Sequence, residues 1–138
     1  TTLKQAGSQA AFAAIDKDLV LSLSRLAQAG GAQRFALNSS LGASAKGSFY
    51  LRTKAAVEKA IISMNFTRTV IVRPSLIDSD RNGQRPLEHI GVVIARFARA
   101  IIPARYRAVS PEAIARSLIA GVKSAAPGTH IVESECII

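Results

Sequence analysis

The sequence predicts an α/β fold in three layers, with helices on both faces of a mainly parallel sheet. Two observations carry this expectation. Apolar residues at three- and four-residue intervals alternate with short β-branched runs, in the order α, β, α, β, α, α, β. No internal repeat or low-complexity tract interrupts that order, and such alternation favours helices layered on a sheet.

The elements follow in order. Ser8 is placed to cap a helix whose apolar residues Phe12, Ile15, Leu19, Leu23 and Leu26 form one face, and Gly30-Gly31 ends it. Gln33 to Ser39 reads as a short strand, followed by the small-residue stretch SLGASAKGS, where a chain can turn closely around a ligand. A second helix over Phe49 to Asn65 presents Val57, Ile61 and Met64, with Ala56 and Ala60, on one side. Thr67 to Arg73 is the best strand in the chain, rich in β-branched residues and stopped by Pro74, and is expected at the centre of the sheet.

The polar run Asp78 to Arg85 reads as a loop. After Pro86 a helix carries Leu87, Ile90, Ile94, Phe97 and Ile101 on one face, and Pro103 closes it. Ser110-Pro111-Glu112 supplies a cap, a first-turn proline and an acidic residue for a helix running to about Ser124. Thr129 to Glu133 is a last short strand.

With 138 residues and 49% hydrophobic content, the chain has room for one domain with its own core. Its longest apolar run, Gly91 to Ile102, is broken by Arg96 and Arg99, short of the roughly 20 apolar residues a bilayer span needs. Thr1 to Ala14 lacks the pattern of a signal peptide. The single Cys136 excludes an intrachain disulfide and a multi-cysteine metal site and fits a reducing cytosol. These features predict a soluble, cytoplasmic protein without a metal centre. His89 and His130, lone and far apart, read as structural or surface residues.

The charge balance is unusual. Lys and Arg number 18 against 9 Asp and Glu, a net +9. A nucleic-acid binder is therefore a rival class. Against it, the arginines are scattered, and the only local cluster is Arg96, Arg99, Arg105 and Arg107.

The chemistry-bearing constellation is Tyr50-Leu51-Arg52-Thr53-Lys54, ten residues past Ser39-Ser40. On a helix, residues four apart share a face, so the phenol of Tyr50 and the ammonium of Lys54 are neighbours. A nearby cation favours the phenolate, which suits Tyr50 to general acid/base work. A hydroxyl from the preceding strand end would hold a substrate carbonyl while Tyr50 passes it a proton.

The pieces read NSSLGA (Asn38 to Ala43), YLRTK (Tyr50 to Lys54) and IVRPSLI (Ile71 to Ile77). This arrangement resembles the short-chain dehydrogenase/reductase superfamily, in which a strand ending in Ser precedes a helix carrying Tyr-x-x-x-Lys and the next strand ends in Arg-Pro. More closely, SSLGASAKGSFYLRTKAAVEKAI, RPSLI and PARYRAVSPEAIARSL are similar to the atypical branch related to Tat-interacting protein. Members of that branch are described as NAD(P)-binding oxidoreductases or nucleoside-diphosphate-sugar epimerases.

The resemblance implies the C-terminal part of a Rossmann-type α/β/α domain and an NADP or NAD cofactor, with NADP favoured. It implies Tyr50 as general acid/base, and Lys54 favouring the phenolate and bonding the nicotinamide ribose. Ser40 would orient the substrate carbonyl, with Ser39 as second choice. Pro74, Ser75 and Leu76 would lie against the nicotinamide, and Thr1 and Thr2 would border the cofactor. An unidentified small-molecule substrate and a homodimer belong to the same expectation.

One departure stands out. No Gly-rich turn follows an opening strand, although a dinucleotide's pyrophosphate needs one. Residues 1–138 are therefore expected to be the C-terminal portion of one domain, with a variable substrate-side region at about 78–108 and the Gly-rich half lying outside them. By themselves they would leave the Thr67 to Arg73 strand with an exposed edge and bind cofactor weakly. Three functions stay open: a Ser-Tyr-Lys enzyme, a non-catalytic dinucleotide-sensing or protein-binding relative, and a basic nucleic-acid binder.

Overall fold

The computed structural model describes residues 3–75 and 103–137. The expected loop Asp78 to Arg85, the helix after Pro86, and residues Thr1, Thr2, Leu76, His89, Arg96 and Arg99 lie outside them. Three parallel strands form the sheet: β1 (Arg34–Asn38), β2 (Arg68–Arg73) and β3 (Gly128–Glu133), in the order β1-β2-β3. Arg34 pairs in register with Arg68, and Arg68 with Gly128.

Each strand lies within a residue or two of its sequence-based position. Parallel pairing needs long crossovers, and α4 (Phe49–Ser63) supplies the one between β1 and β2. Helices α1 (Leu3–Ala6), α2 (Gln9–Ala13) and α3 (Val20–Ala29) precede β1, and α5 (Pro111–Lys123) precedes β3.

Alternation along β2 divides the core in two. Val70 and Val72 meet Val109, Ala113 and Ile114 around α5, whereas Ile71 meets Leu37, Val57 and Ile61 on the α4 side. Because both faces and both edges of β2 are covered, even Arg68 and Thr69 are buried. The expectation that this strand would have an exposed edge is thus corrected. Among the described residues, it is the outer edges of β1 and β3 that carry no strand.

The capping residues act as their chemistry dictates. The Ser8, Ser48 and Ser110 hydroxyls accept the amide hydrogens of Ala11, Leu51 and Ala113, opening α2, α4 and α5. Gly31, with φ of 84°, lets the chain leave α3 in the left-handed conformation. At the far end of α5 no glycine cap is present, and arginines from the strand starts take over. Arg68 Nε donates to the Gly121 carbonyl at 2.5 Å, its guanidinium also bonds the Ala126 carbonyl, and Arg34 donates to the Val122 carbonyl at 3.0 Å. These cations answer carbonyls that the helix end leaves unpaired.

The first helical stretch departs from expectation. Phe12 is buried, but Ile15, Leu19, Leu23 and Leu26 are 47–69% exposed. A π-helical segment, Ala14–Leu19, separates α2 from α3. Its wider turn breaks the 3.6-residue period on which the sequence expectation rested. The face that packs inward is instead spaced by four residues and includes polar groups: Phe12, Asp16 and Ser24 are buried, and Val20 packs against the core. The apolar stripe has no cover among the described residues.

Gly121 is where α5 touches the sheet most closely. A Cβ there would stand 2.6 Å from Val70 Cγ1 and 3.0 Å from Cγ2, with β2 fixed behind them. Alanine normally gains about 1 kcal/mol over glycine inside a helix. Overpacking a fixed core costs about 1–3 kcal/mol and outweighs that gain. Gly121→Ala is therefore expected to lower the urea midpoint, and an unchanged or raised midpoint would show that the helix can lift off Val70 freely.

Candidate active site at the strand ends

All three strands end at one edge of the sheet, and the segments leaving β1 and β2 run side by side there. Ser39 N–H donates to the Val72 carbonyl and Leu41 N–H to the Pro74 carbonyl, both at 2.8 Å. In open parallel sheets this carboxyl edge is where ligands bind. Helix α4 starts at this edge, so its first turns carry Tyr50 and Lys54.

Four residues apart, those two side chains meet as the spacing predicts. Lys54 Nζ stands 5.7 Å from the centroid of the half-buried Tyr50 ring, within cation–π range. Phe12 packs against the same tyrosine, its ring 5.5 Å from that of Tyr50. Lys54 Nζ also donates to Asp16 Oδ1 at 2.7 Å, and the two side chains are only 14% and 7% exposed.

The paired serines are not equivalent. Ser39 is buried, and its hydroxyl donates to Glu58 Oε1 at 2.5 Å. Ser40 is half-buried, and its hydroxyl makes only a 3.4 Å contact with the Leu41 carbonyl, longer than an ordinary O–H···O bond. Ser39 therefore anchors the strand end, while Ser40 keeps the more available hydroxyl.

Glu58 continues the stride of Tyr50 and Lys54 by one further turn of α4. Besides Ser39, it accepts from Arg73 Nε at 3.0 Å and from the second Arg73 guanidinium nitrogen at 2.6 Å. Arg73 in turn donates to Glu133 Oε1 at 2.9 Å. The bonds to Glu58, with those to Glu133 and against the opposing effect of burial, hold the Arg73 pKa above its ordinary value, so it stays a cation. The ends of all three strands and α4 are thus tied to one partly buried network.

Pro74 is buried directly after this arginine. Ser75 N–H donates to Ser134 Oγ at 3.1 Å, and the Ser75 hydroxyl donates to the Arg107 carbonyl. The structure therefore gathers Ser39, Ser40, Tyr50, Lys54, Pro74 and Ser75 around one sheet edge, whereas Thr1, Thr2 and Leu76 lie outside the described residues. Asp16, Glu58 and Glu133 escaped the sequence reading. For Glu58 a signal existed, the Lys54-x-x-x-Glu58 spacing, but Asp16 is 38 residues from its partner and no local pattern joins them.

Several arginines that made nucleic acid a rival have internal partners. Arg34, Arg52 and Arg68 donate to backbone carbonyls, and Arg73 to two carboxylates. Among the described residues no group of three His, Cys, Asp or Glu is placed to hold a metal, and no helix is long and apolar enough to cross a membrane.

Comparison with known proteins bears directly on this geometry. No family model matches the chain. Among curated proteins, Protein HTATIP2 of Rattus norvegicus is 40% identical over 89 residues, covering 64% of this chain and 36% of that protein. The mitochondrial FMP52 protein of Coccidioides immitis is 35% identical over 99 residues, covering 71% and 40%. That of Emericella nidulans is 39% identical over 98 residues, covering 70% and 40%.

These relatives match the atypical short-chain dehydrogenase/reductase family that the sequence resembles. This is an NAD(P)-binding family, and the three-stranded parallel sheet is consistent with part of its Rossmann-like fold. The chain spans less than half the length of each of these atypical dehydrogenase/reductase relatives. Kinship also overturns the cytoplasmic expectation, since the fungal relatives are named mitochondrial proteins. The physical reason is simple: a lone cysteine suits any reducing compartment, and composition carries no address.

Proposed function

We propose that this chain provides the nicotinamide side of a Ser-Tyr-Lys site in an NAD(P)H-dependent oxidoreductase or epimerase-like enzyme. The observation that carries the proposal is the Tyr50–Lys54 pair, half-buried at the carboxyl edge of a parallel sheet, an edge that also carries the Ser40 hydroxyl, which has no hydrogen bond of ordinary length among the described residues. The residues fit a nicotinamide riboside. Lys54 has three N–H donors, and one is engaged by Asp16. The residues that would hold a pyrophosphate, a Gly-rich turn after a strand, are not in this sequence.

The cofactor supplies the hydride when bound. Ser40 holds the substrate oxygen by donating its hydroxyl hydrogen. Tyr50 gives that oxygen a proton, and the Lys54 ammonium stabilises the phenolate left behind. Ser39 keeps Ser40 in place through its bond to Glu58.

We further propose that the chain is the C-terminal portion of one such domain, with residues 78–108 on the substrate side. Two features support this: among the described residues β1, like β3, offers an outer edge without a strand, and Ile15, Leu19, Leu23 and Leu26 lie uncovered on the helices beside β1. Both are surfaces that further strands and helices of a sheet domain would bury.

The test is consumption of reduced nicotinamide by the full-length protein across a panel of aldehydes, ketones and nucleoside-diphosphate sugars. Carbonyl-dependent oxidation of NADPH or NADH, or sugar epimerisation, is the expected result. A protein that binds the cofactor and turns over none of the panel would move the reading to a non-catalytic relative.

A further inference from the structure

We infer that Asp16 is the positioning residue for the Lys54 ammonium, and that the π-helical turn around it serves to deliver its carboxylate there. The inference rests on the Tyr50–Lys54 reading above and deepens it. Asp16 lies in the π-helical segment between α2 and α3, at a point where an uninterrupted α-helix with this apolar stripe has no reason to widen. The turn places Asp16 on the inward face with Phe12, while Ile15 and Leu19 stay exposed. A helix that buries a carboxylate and exposes leucines gives up apolar burial, and π turns of this kind recur where function requires a displaced side chain.

The carboxylate has the partner that its burial demands. Lys54 Nζ approaches Oδ1 at 2.7 Å, with both side chains largely shielded from water. Lysine is a point charge on a flexible four-carbon stem, so its nitrogen is placed only as well as its neighbours hold it. Here the nitrogen stands 5.7 Å from the Tyr50 ring centroid and Asp16 holds it. The ammonium is thereby held beside the phenol before any ligand arrives, and less freedom is lost when it bonds a ribose hydroxyl. Asp16 acts through Lys54 and touches neither cofactor nor substrate.

A double-mutant cycle on the full-length protein, read by NADPH fluorescence titration, tests this. Asp16→Asn keeps the shape and removes the carboxylate charge, so the ion pair becomes a weaker ion–dipole hydrogen bond, and NADPH binding is expected to weaken about fivefold, roughly 1 kcal/mol. In a Lys54→Ala background the same substitution is expected to change nothing further. Asp16→Glu, which keeps the charge on a longer arm, is expected to fall between Asn and wild type, and it serves if the Asn variant does not fold. Equal losses in both backgrounds would mean a merely structural role and overturn the inference. So would Asn or Glu variants that fold and bind NADPH like wild type. Lys54→Ala binding as tightly as wild type, or a wild-type protein that binds no NADPH, would instead overturn the Tyr50–Lys54 reading itself, and this inference with it.

Discussion

Tyr50→Phe in the full-length protein is expected to lower carbonyl turnover by about 10²–10⁴-fold, the contribution of one well-placed general acid/base, while NADPH affinity stays close to wild type. The substitution removes one oxygen and nothing else. Its ring keeps the contact with Phe12 at 5.5 Å and remains under the Lys54 ammonium at 5.7 Å, so packing and cation–π attraction persist. Parallel measurement of turnover and binding separates the readings. Loss of turnover with binding retained is the signature of a proton-transfer group, and equal retention of both would remove Tyr50 from the chemistry.

Glu58→Ala carries the second large effect, this time on stability. Glu58 is 5% exposed and accepts three hydrogen bonds from two partners, Ser39 and Arg73. Removing it strands a buried hydroxyl and leaves Arg73 with Glu133 as its remaining carboxylate. Breaking a buried pair by deleting one partner costs about 3–5 kcal/mol. Because the Arg73 side chain is 22% exposed, water softens the loss, and a value near the lower end, about 3 kcal/mol, is expected in urea unfolding. Replacing Glu58 and Arg73 together by apolar residues is expected to cost less than Glu58→Ala alone, since the stranded guanidinium is removed as well and only Glu133, 34% exposed and so partly hydrated, loses its partner. A Glu58→Ala protein as stable as wild type would mean that the network contributes nothing.

The contrast between these residues explains how far the sequence could be read. Tyr50 and Lys54 were legible because helical spacing alone makes them neighbours, and β2 because a β-branched run stopped by proline has few other uses. Ser110-Pro111 opened its helix as read, since a cap is a local interaction. What escaped depends on distance along the chain. The bonds of Asp16 to Lys54, and of Glu58 to Ser39 and Arg73, join residues 15–38 positions apart, and no periodicity encodes them. The stripe Ile15, Leu19, Leu23 and Leu26 was misread for a related reason: its helical period is real, but the π turn rotates it away from this sheet. The resemblance ranked Ser40 before Ser39 although a one-residue shift exchanges them, and their environments differ in that Ser39 is bonded to the buried Glu58.

The most direct test of the central claim is NADPH binding by the full-length protein, measured by calorimetry for wild type and Lys54→Ala side by side. Lys54 offers charge-assisted hydrogen bonds worth about 1.5–3 kcal/mol, so the variant is expected to bind at least about tenfold more weakly while its melting curve shows a folded protein. Wild-type protein that binds neither NADPH nor NADH would contradict the claim that this sheet edge is a nicotinamide site.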